Sequence, residues 1–246
     1  MSELDTGACN VTILYEDNHI ICAVKPRGIL SQADDTGAPD MLTILKRYVK
    51  MKYRKKGAVY LGLVHRLDRP VGGVMLFART SKAAGRLSAQ LRERIVKKIY
   101  FTVLEGMPDQ SSGRLEHCIG KERHTNIVHI SEARGADVND KGYAVLDYQT
   151  LEKSRDGKMA LVRVEPLTGK PHQIRAQFSH IGHPIVGDRK YGGGFYADTG
   201  SPALWAASLE FEHPVKQTPL RISAEPPDEY PWSEFNKNNY VIIERK

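Results

Sequence analysis

Asp68 stands in the segment Leu63-Val64-His65-Arg66-Leu67-Asp68-Arg69-Pro70-Val71-Gly72-Gly73, one carboxylate between two guanidinium groups. Cationic neighbours hold such an acid ionised and oriented, and an oriented carboxylate is a nucleophile or a stabiliser of positive charge developing on carbon. A second constellation, Pro166-Leu167-Thr168-Gly169-Lys170-Pro171-His172-Gln173-Ile174-Arg175-Ala176-Gln177-Phe178, carries Arg175, whose guanidinium can fork onto a carboxylate. Read locally, each segment has a plain structural account: a surface ion-pair cluster at a Pro/Gly turn for the first, and an ordinary helix with a surface arginine for the second.

The elements that would position these groups follow from the pattern around them. The apolar approach to His65 and the run Val74 to Ala78 predict strand, loop, strand, which puts Asp68 on a loop braced by rigid elements. Val11 to Tyr15 and His19 to Val24 predict a hairpin turned at Glu16-Asp17-Asn18, followed by the stiff loop Lys25-Pro26-Arg27-Gly28-Ile29. Met41, Leu42, Leu45, Tyr48, Val49 and Tyr53 have helical spacing, with Pro39 or Asp40 at the start and the cluster Lys50, Lys52, Arg54, Lys55, Lys56 at the end. Cations there complement the helix dipole, which is an adequate account without any ligand.

Thr80 or Ser81 caps a second helix with Ala84, Leu87, Leu91 and Ile95 on one face, and Lys97-Lys98 lead into a strand from Ile99 to Leu104 that carries Tyr100. Residues 107–142 are turn-rich, broken at Ser111-Ser112-Gly113 and Arg134-Gly135-Ala136, and predict peripheral hairpins and loops. Tyr143 to Leu151 and Met159 to Glu165 predict an antiparallel pair turned at Arg155-Asp156-Gly157. Pro171 suits the first position of a short helix with Ile174, Phe178 and Ile181 on one face and Gly182 at its close. Leu204 to Phe211 and Leu220 to Ala224 read as closing strands.

The 246 residues, 41% hydrophobic, are enough for one large domain or two lobes. Lys and Arg outnumber Asp and Glu by 36 to 29, a net +7, which favours polyanionic partners. Cys9, Cys22 and Cys118 are odd in number and widely spaced, so neither a disulfide framework nor a zinc knuckle is indicated, and a reducing, cytoplasmic setting is expected. His117, His124 and His129 lack metal-type spacing, so no metal is expected. No stretch approaches the about 20 apolar residues of a membrane helix, and Met1-Ser2-Glu3-Leu4-Asp5 lacks a signal core.

Together, His65-Arg66-Leu67-Asp68 with Gly73, Lys25-Pro26-Arg27-Gly28, Lys98-Ile99-Tyr100 and Thr168-Gly169-Lys170-Pro171-His172-Gln173-Ile174-Arg175 resemble, in order, the landmarks of the RluA-type pseudouridine synthases. Pro184-Ile185-Val186-Gly187-Asp188 with Tyr191-Gly192 extends the likeness, which runs from about Val11 to Gly192. The resemblance implies a catalytic role for Asp68, an arginine partner for it in Arg175, and a tyrosine against the reacting base in Tyr100. It implies RNA contacts at Arg66, Arg69, Lys98 and Lys170, with Arg66 as a wedge for a flipped nucleotide. Two departures stand out: Val71-Gly72 replaces the family's usual Thr-Ser, and Lys170-Pro171 its Arg-Thr, the second keeping a charge but losing a fork.

The fold implied is α+β, a bent, mostly antiparallel mixed sheet flanked by helices with a central RNA-binding cleft. Residues 1–224 are expected to form the catalytic domain as two lobes, with a loosely packed extension at 225–246 and no S4-like module before Val11. The implied activity is isomerisation of uridine to pseudouridine in rRNA or tRNA by a monomer, with no cofactor and no membrane. A glycoside hydrolase would need a second acid, and neither constellation offers one. A noncatalytic RNA-binding protein on the same fold is the alternative, separated by whether Asp68 is needed for more than binding.

Overall fold

The computed structural model describes residues 2–5, 10–121, 128–133, 142–192 and 200–240. Two contact units divide the chain: Met1–Lys97 with Ala206–Ala224, and Lys98–Trp205 with Glu225–Lys246. The architecture is α+β, with twelve strands and three helices among the described residues.

In the first unit, β2 (Asn10–Glu16) and β3 (Ile20–Lys25) form the expected hairpin, with β1 (Ser2–Asp5) along its outer edge. Asp17 shapes its turn, accepting from the backbone N–H groups of His19 and Ile20. On the other side of β3 lies β5 (Gly72–Ala78), antiparallel, with Lys25 opposite Gly73. The short β4 (Gly62–Leu63) pairs with β5, and β11 (Leu204–Glu212) with β12 (Pro219–Ser223). Ile20, Cys22, Val74, Leu76 and Ala78 alternate onto one face, where Ala83 and Leu87 of α2 (Ser81–Arg92) cover them.

Gly73 is fixed by this packing. Its φ is +123°, and a Cβ there would lie 2.2 Å from the backbone oxygen of Ala206, so only glycine lets the two backbones approach. The other helix, α1 (Met41–Lys52), is capped by Asp40, whose carboxylate accepts from Thr43 N–H at 3.0 Å. Thr80 caps α2 in the same way through Ala83 N–H. The expected apolar face of α2 ends early: the helix stops at Arg92, Arg94 turns to positive φ, and Ile95 is 48% exposed while Val96 is buried.

In the second unit the strand order is β6 (Lys97–Glu105), β10 (Met159–Pro166), β9 (Tyr143–Lys153), β7 (Ser112–Lys121) and β8 (Val128–Glu132), antiparallel at each step. Ser154 closes the β9–β10 turn, accepting the Gly157 N–H at its carbonyl. The helix α3 (Gln173–His180) begins two residues later than Pro171, because His172 takes a left-handed backbone at φ 54°. Glycine 182, at φ +84°, follows its C-terminus as expected.

The segment after Glu225 is well packed, contrary to expectation. Trp232, Phe235 and Tyr240 are buried, Tyr240 meets Phe101 edge to face at 5.4 Å, and Glu152 accepts from Asn236 N–H and Asn239 Nδ2. His124, Cys9 and Arg134-Gly135-Ala136 lie outside the described residues.

Candidate active site

The Asp68 loop is held from below by two buried polar side chains of the first unit. Ser31 brackets Leu67, donating to its carbonyl at 2.8 Å and accepting its N–H at 3.1 Å. Lys25, fully buried, aims its ammonium at the carbonyls of Val71 (2.7 Å), Arg69 (3.0 Å) and Pro26 (3.2 Å), so all three N–H donors have an acceptor. Arg69 and Gly28 exchange a further pair, Gly28 N–H to the Arg69 carbonyl and Arg69 Nε to the Gly28 carbonyl. Between these anchors the turn closes with Val71 N–H on the Asp68 carbonyl at 3.0 Å.

Asp68 is thus half-exposed on a loop whose flanking residues, Leu67 and Val71, are buried. Arg66 and Arg69 beside it are exposed, and His65 turns inward, its Nε2 accepting the Leu76 N–H at 3.0 Å. Burial pulls the Lys25 ammonium down to about 7; Asp68 works against that shift and Arg69 adds to it. The Lys25 charge is therefore electrostatically coupled to the carboxylate above it.

Lys25, which the sequence presents only as one cation of a Pro/Gly-stiffened loop, is the principal support of the Asp68 loop. The signal was available: Ile21, Ala23 and Lys25 share one face of β3 by period two, and a lysine in register with a buried apolar face must find acceptors.

In the second unit, Arg175 does form the bidentate fork its position suggested. Its carboxylate is Asp188: Nε donates to Oδ2 at 2.7 Å and Nη2 to Oδ1 at 2.8 Å, with side chains 6% and 0% exposed. Asp188 is in turn fixed by the N–H groups of Lys190 and Tyr191, and the Tyr191 ring centroid lies 5.2 Å from the Arg175 guanidinium carbon. The Tyr191 hydroxyl accepts from Val128 N–H and meets His172 Nδ1 at 2.6 Å, which ties the helix entry to β8.

Gln173 anchors the loop before the helix. Its Oε1 accepts from Thr168 Oγ1 and Lys170 N–H, while its Nε2 donates to the Val145 carbonyl. Tyr100 is half-buried on β6 opposite Val164, and Lys98 on the same strand brings its ammonium to 3.8 Å from where a Gly169 side chain would begin. Burial lowers the pKa of Lys98. The structure therefore gathers Lys98, Lys170 and Gln173 around one loop, with Arg175 on the helix that follows it, and Arg66, Asp68 and Arg69 on another loop.

His117, Glu132 and His180 also converge, with candidate ligand atoms within 4.8 Å of one another. Histidine spacing could not show this, since the three come from β7, β8 and α3. Gln177 bears on the donor set: its Nε2, bonded to the carbonyls of Leu115 and Ala144, lies 2.9 Å from His117 Nδ1. An amide nitrogen packed on Nδ1 favours a neutral His117 ring and occupies the space at that nitrogen. Burial, then the neighbouring His180, lowers the His117 pKa in agreement.

An α+β fold of this strand order, with a single acid on a clamped loop and a buried arginine fork, defines a class that comparison makes explicit. Residues 19–180 match the family described as RNA pseudouridylate synthase, and the chain belongs to that family. It is 35% identical over 231 residues to ribosomal large subunit pseudouridine synthase D of Xylella fastidiosa, covering 88% of this chain and 66% of that protein. The protein of the same name from Pseudomonas aeruginosa is 33% identical over 233 residues, covering 89% of this chain and 69% of the relative.

The chain thus spans about two thirds of the length of these relatives. Among solved structures, human RNA pseudouridylate synthase domain containing 1 is similar at 25% identity with a TM-score of 0.68, over 89% of this chain and 84% of that one. Human RNA pseudouridylate synthase domain containing 4, at 24% identity and TM-score 0.69 over 88% of both chains, shares the fold.

Proposed function

We propose that this protein isomerises specific uridines in structured RNA, rRNA or tRNA, to pseudouridine, with Asp68 as the catalytic carboxylate. The observation that carries the reading is the Asp68 loop itself: a half-exposed acid whose backbone is clamped by buried Ser31 and Lys25, in a chain of the RNA pseudouridylate synthase family. A carboxylate held this rigidly meets its target with little reorganisation, which is what attack or charge stabilisation at a reacting carbon requires.

The reaction balances without any donor or acceptor outside the nucleotide. The bond from the sugar C1′ to uracil N1 breaks, the ring turns, a bond from C1′ to C5 forms, and the proton lost from C5 is made up at N1. Asp68 stabilises the separated sugar or adds to it or to the base, and the Tyr100 phenol serves the base and its C5 proton. In this reading Arg175, held in place by its fork onto Asp188, is the cation that orients Asp68. Arg66 wedges into the stack vacated by the target base, and Arg69, Lys98 and Lys170 bind phosphates.

Val71 and Gly72 bring no hydroxyl to this loop, so the support that comes from Ser31 and Lys25 is the more important. The reading extends to a monomer acting without a cofactor and to a cytoplasmic setting, which free Cys22 and Cys118 suit. It is tested by mapping pseudouridines in total RNA with and without the gene, then incubating the purified protein with the transcript that changed. Conversion at the mapped uridine is expected, and no difference between the two RNA maps would overturn the assignment.

A further inference from the structure

The positive charge of this chain is concentrated in one place. Lys46, Arg47, Lys50, Lys52, Arg54, Lys55 and Lys56 are seven cations, and no Asp or Glu occurs from Met41 to Tyr60. Subtracting those seven from 36 leaves 29 cations against 29 acids, so the remaining residues are neutral and the whole +7 belongs to eleven consecutive positions. The helix dipole accounts for little of this. It acts within the last turn, where Lys50 and Lys52 sit, whereas Arg54, Lys55 and Lys56 lie beyond the cap residue Tyr53. Arg54 moreover occupies a left-handed position, φ 47°, where glycine is the unstrained residue.

These side chains point outward. Arg47, Lys50, Lys52, Arg54, Lys55 and Lys56 are exposed, and among the described residues only Lys52 of the seven has a carboxylate in ion-pair range, Glu16 at 2.6 Å. Glu16 also accepts from the hydroxyls of Tyr48 and Tyr53, both at 2.8 Å, and Arg79 stacks on Tyr53 with its guanidinium carbon 4.5 Å from the ring centroid. The patch is therefore mounted on the β2–β3 hairpin and held in place. Two half-exposed rings adjoin it, Tyr53 at 43% and Tyr60 at 50%.

We propose that the end of α1 and the segment to Tyr60 form a second RNA-binding surface, gripping the phosphate backbone of the substrate away from the target nucleotide. This rests on the RNA reading above. Exposed cations interleaved with tyrosines suit a phosphate chain with bases available for stacking. A lipid surface is the poorer fit, because the apolar face of α1, Met41, Leu45, Tyr48 and Val49, is buried in the protein and has nothing left to insert. Lys56 is twelve residues from Asp68, at most roughly 40 Å of chain. A stem of roughly a dozen base pairs spans that distance, so one RNA can occupy both.

The test is the variant Lys50→Gln/Arg54→Gln/Lys55→Gln/Lys56→Gln, with binding to a labelled RNA hairpin followed against salt. Removing four phosphate contacts should lower the slope of log affinity against log salt by about 3, weaken binding at low salt at least tenfold, raise KM and leave kcat unchanged. An unchanged slope overturns the proposal, as does a loss seen only with phosphatidylglycerol vesicles. If the fourfold variant fails to fold, Lys55→Gln/Lys56→Gln, beyond the helix cap, should still lower the slope by about 1.5, and an unchanged slope there is equally fatal. A wild-type protein that converts no uridine would defeat the catalytic reading while leaving the slope comparison intact, so the two failures are distinguishable.

Discussion

Lys25 Nζ lies 2.7 Å from the carbonyl oxygen of Val71, three residues past the acid at position 68, and no water need mediate the contact. The buried ammonium thereby fixes the backbone that aims Asp68. Replacing it with the isosteric but apolar side chain of Lys25→Met should lower kcat on the order of 10²-fold and weaken RNA binding far less, since a slightly misplaced catalytic group is costly while Arg69, on the same loop, is one phosphate contact among several. Single-turnover kinetics on the mapped RNA separates the two parameters. Equal losses in affinity and rate would mean that Lys25 is not a positioning residue.

The same residue gives stability a pH dependence whose sign is determined. The Lys25 pKa is about 7 in the folded chain against about 10.4 unfolded. Between those values the unfolded chain holds a proton that the folded one has released, so the contribution of Lys25 to stability grows as pH rises from about 7 to about 10, and is lost as pH falls back through 7. Chemical denaturation of wild type and Lys25→Met at pH 6.5, 8 and 9.5 should show the difference shifting steadily in favour of wild type.

Asp188 should prove structural to the second unit through Arg175. Asp188→Ala leaves a buried guanidinium short of its bidentate partner, and breaking such a pair costs about 3–5 kcal/mol. Equilibrium unfolding measures this directly, and a loss below about 1 kcal/mol would show that Arg175 finds compensation.

Gly73→Ala is expected to be among the most damaging single-methyl changes in the chain. The new Cβ would need to occupy space 2.2 Å from the Ala206 oxygen at a φ of +123°, so both clash and backbone strain apply, about 3 kcal/mol or more together. Thermal melting of the purified variant checks it, and a near-native melting temperature would mean that β5 and β11 can separate locally at little cost.

What could be read from the sequence was mostly local. The cap of α1 at Pro39 or Asp40, that of α2 at Thr80 or Ser81, the β2–β3 hairpin and the turn at Arg155-Asp156-Gly157 follow from short-range hydrogen bonding and period, and the structure resolves the two caps to Asp40 and Thr80. Ile95 misled because helical spacing continues on paper past Arg92, where the chain has already turned at Arg94. The segment after Glu225 read as a loosely packed polar extension because a partner of its aromatic residues lies far back along the chain, as Phe101 does for Tyr240. Of the candidate site, the placing of Asp68 on a loop between strands and the ability of Arg175 to fork onto a carboxylate were legible by type and spacing. Asp188, which grips Arg175, and the convergence of His117, Glu132 and His180 are products of tertiary packing and leave no periodic trace.

In the proposed reaction, conversion of uridine depends on the carboxylate of Asp68. Asp68→Asn preserves the shape of the loop and removes only the charge, so the purified variant should melt within a few degrees of wild type and bind the mapped RNA with similar affinity. Mass spectrometry of that RNA after incubation should show pseudouridine with wild type and none with Asp68→Asn. Pseudouridine formed by the variant at a rate near that of wild type would mean that Asp68 is not the catalytic carboxylate.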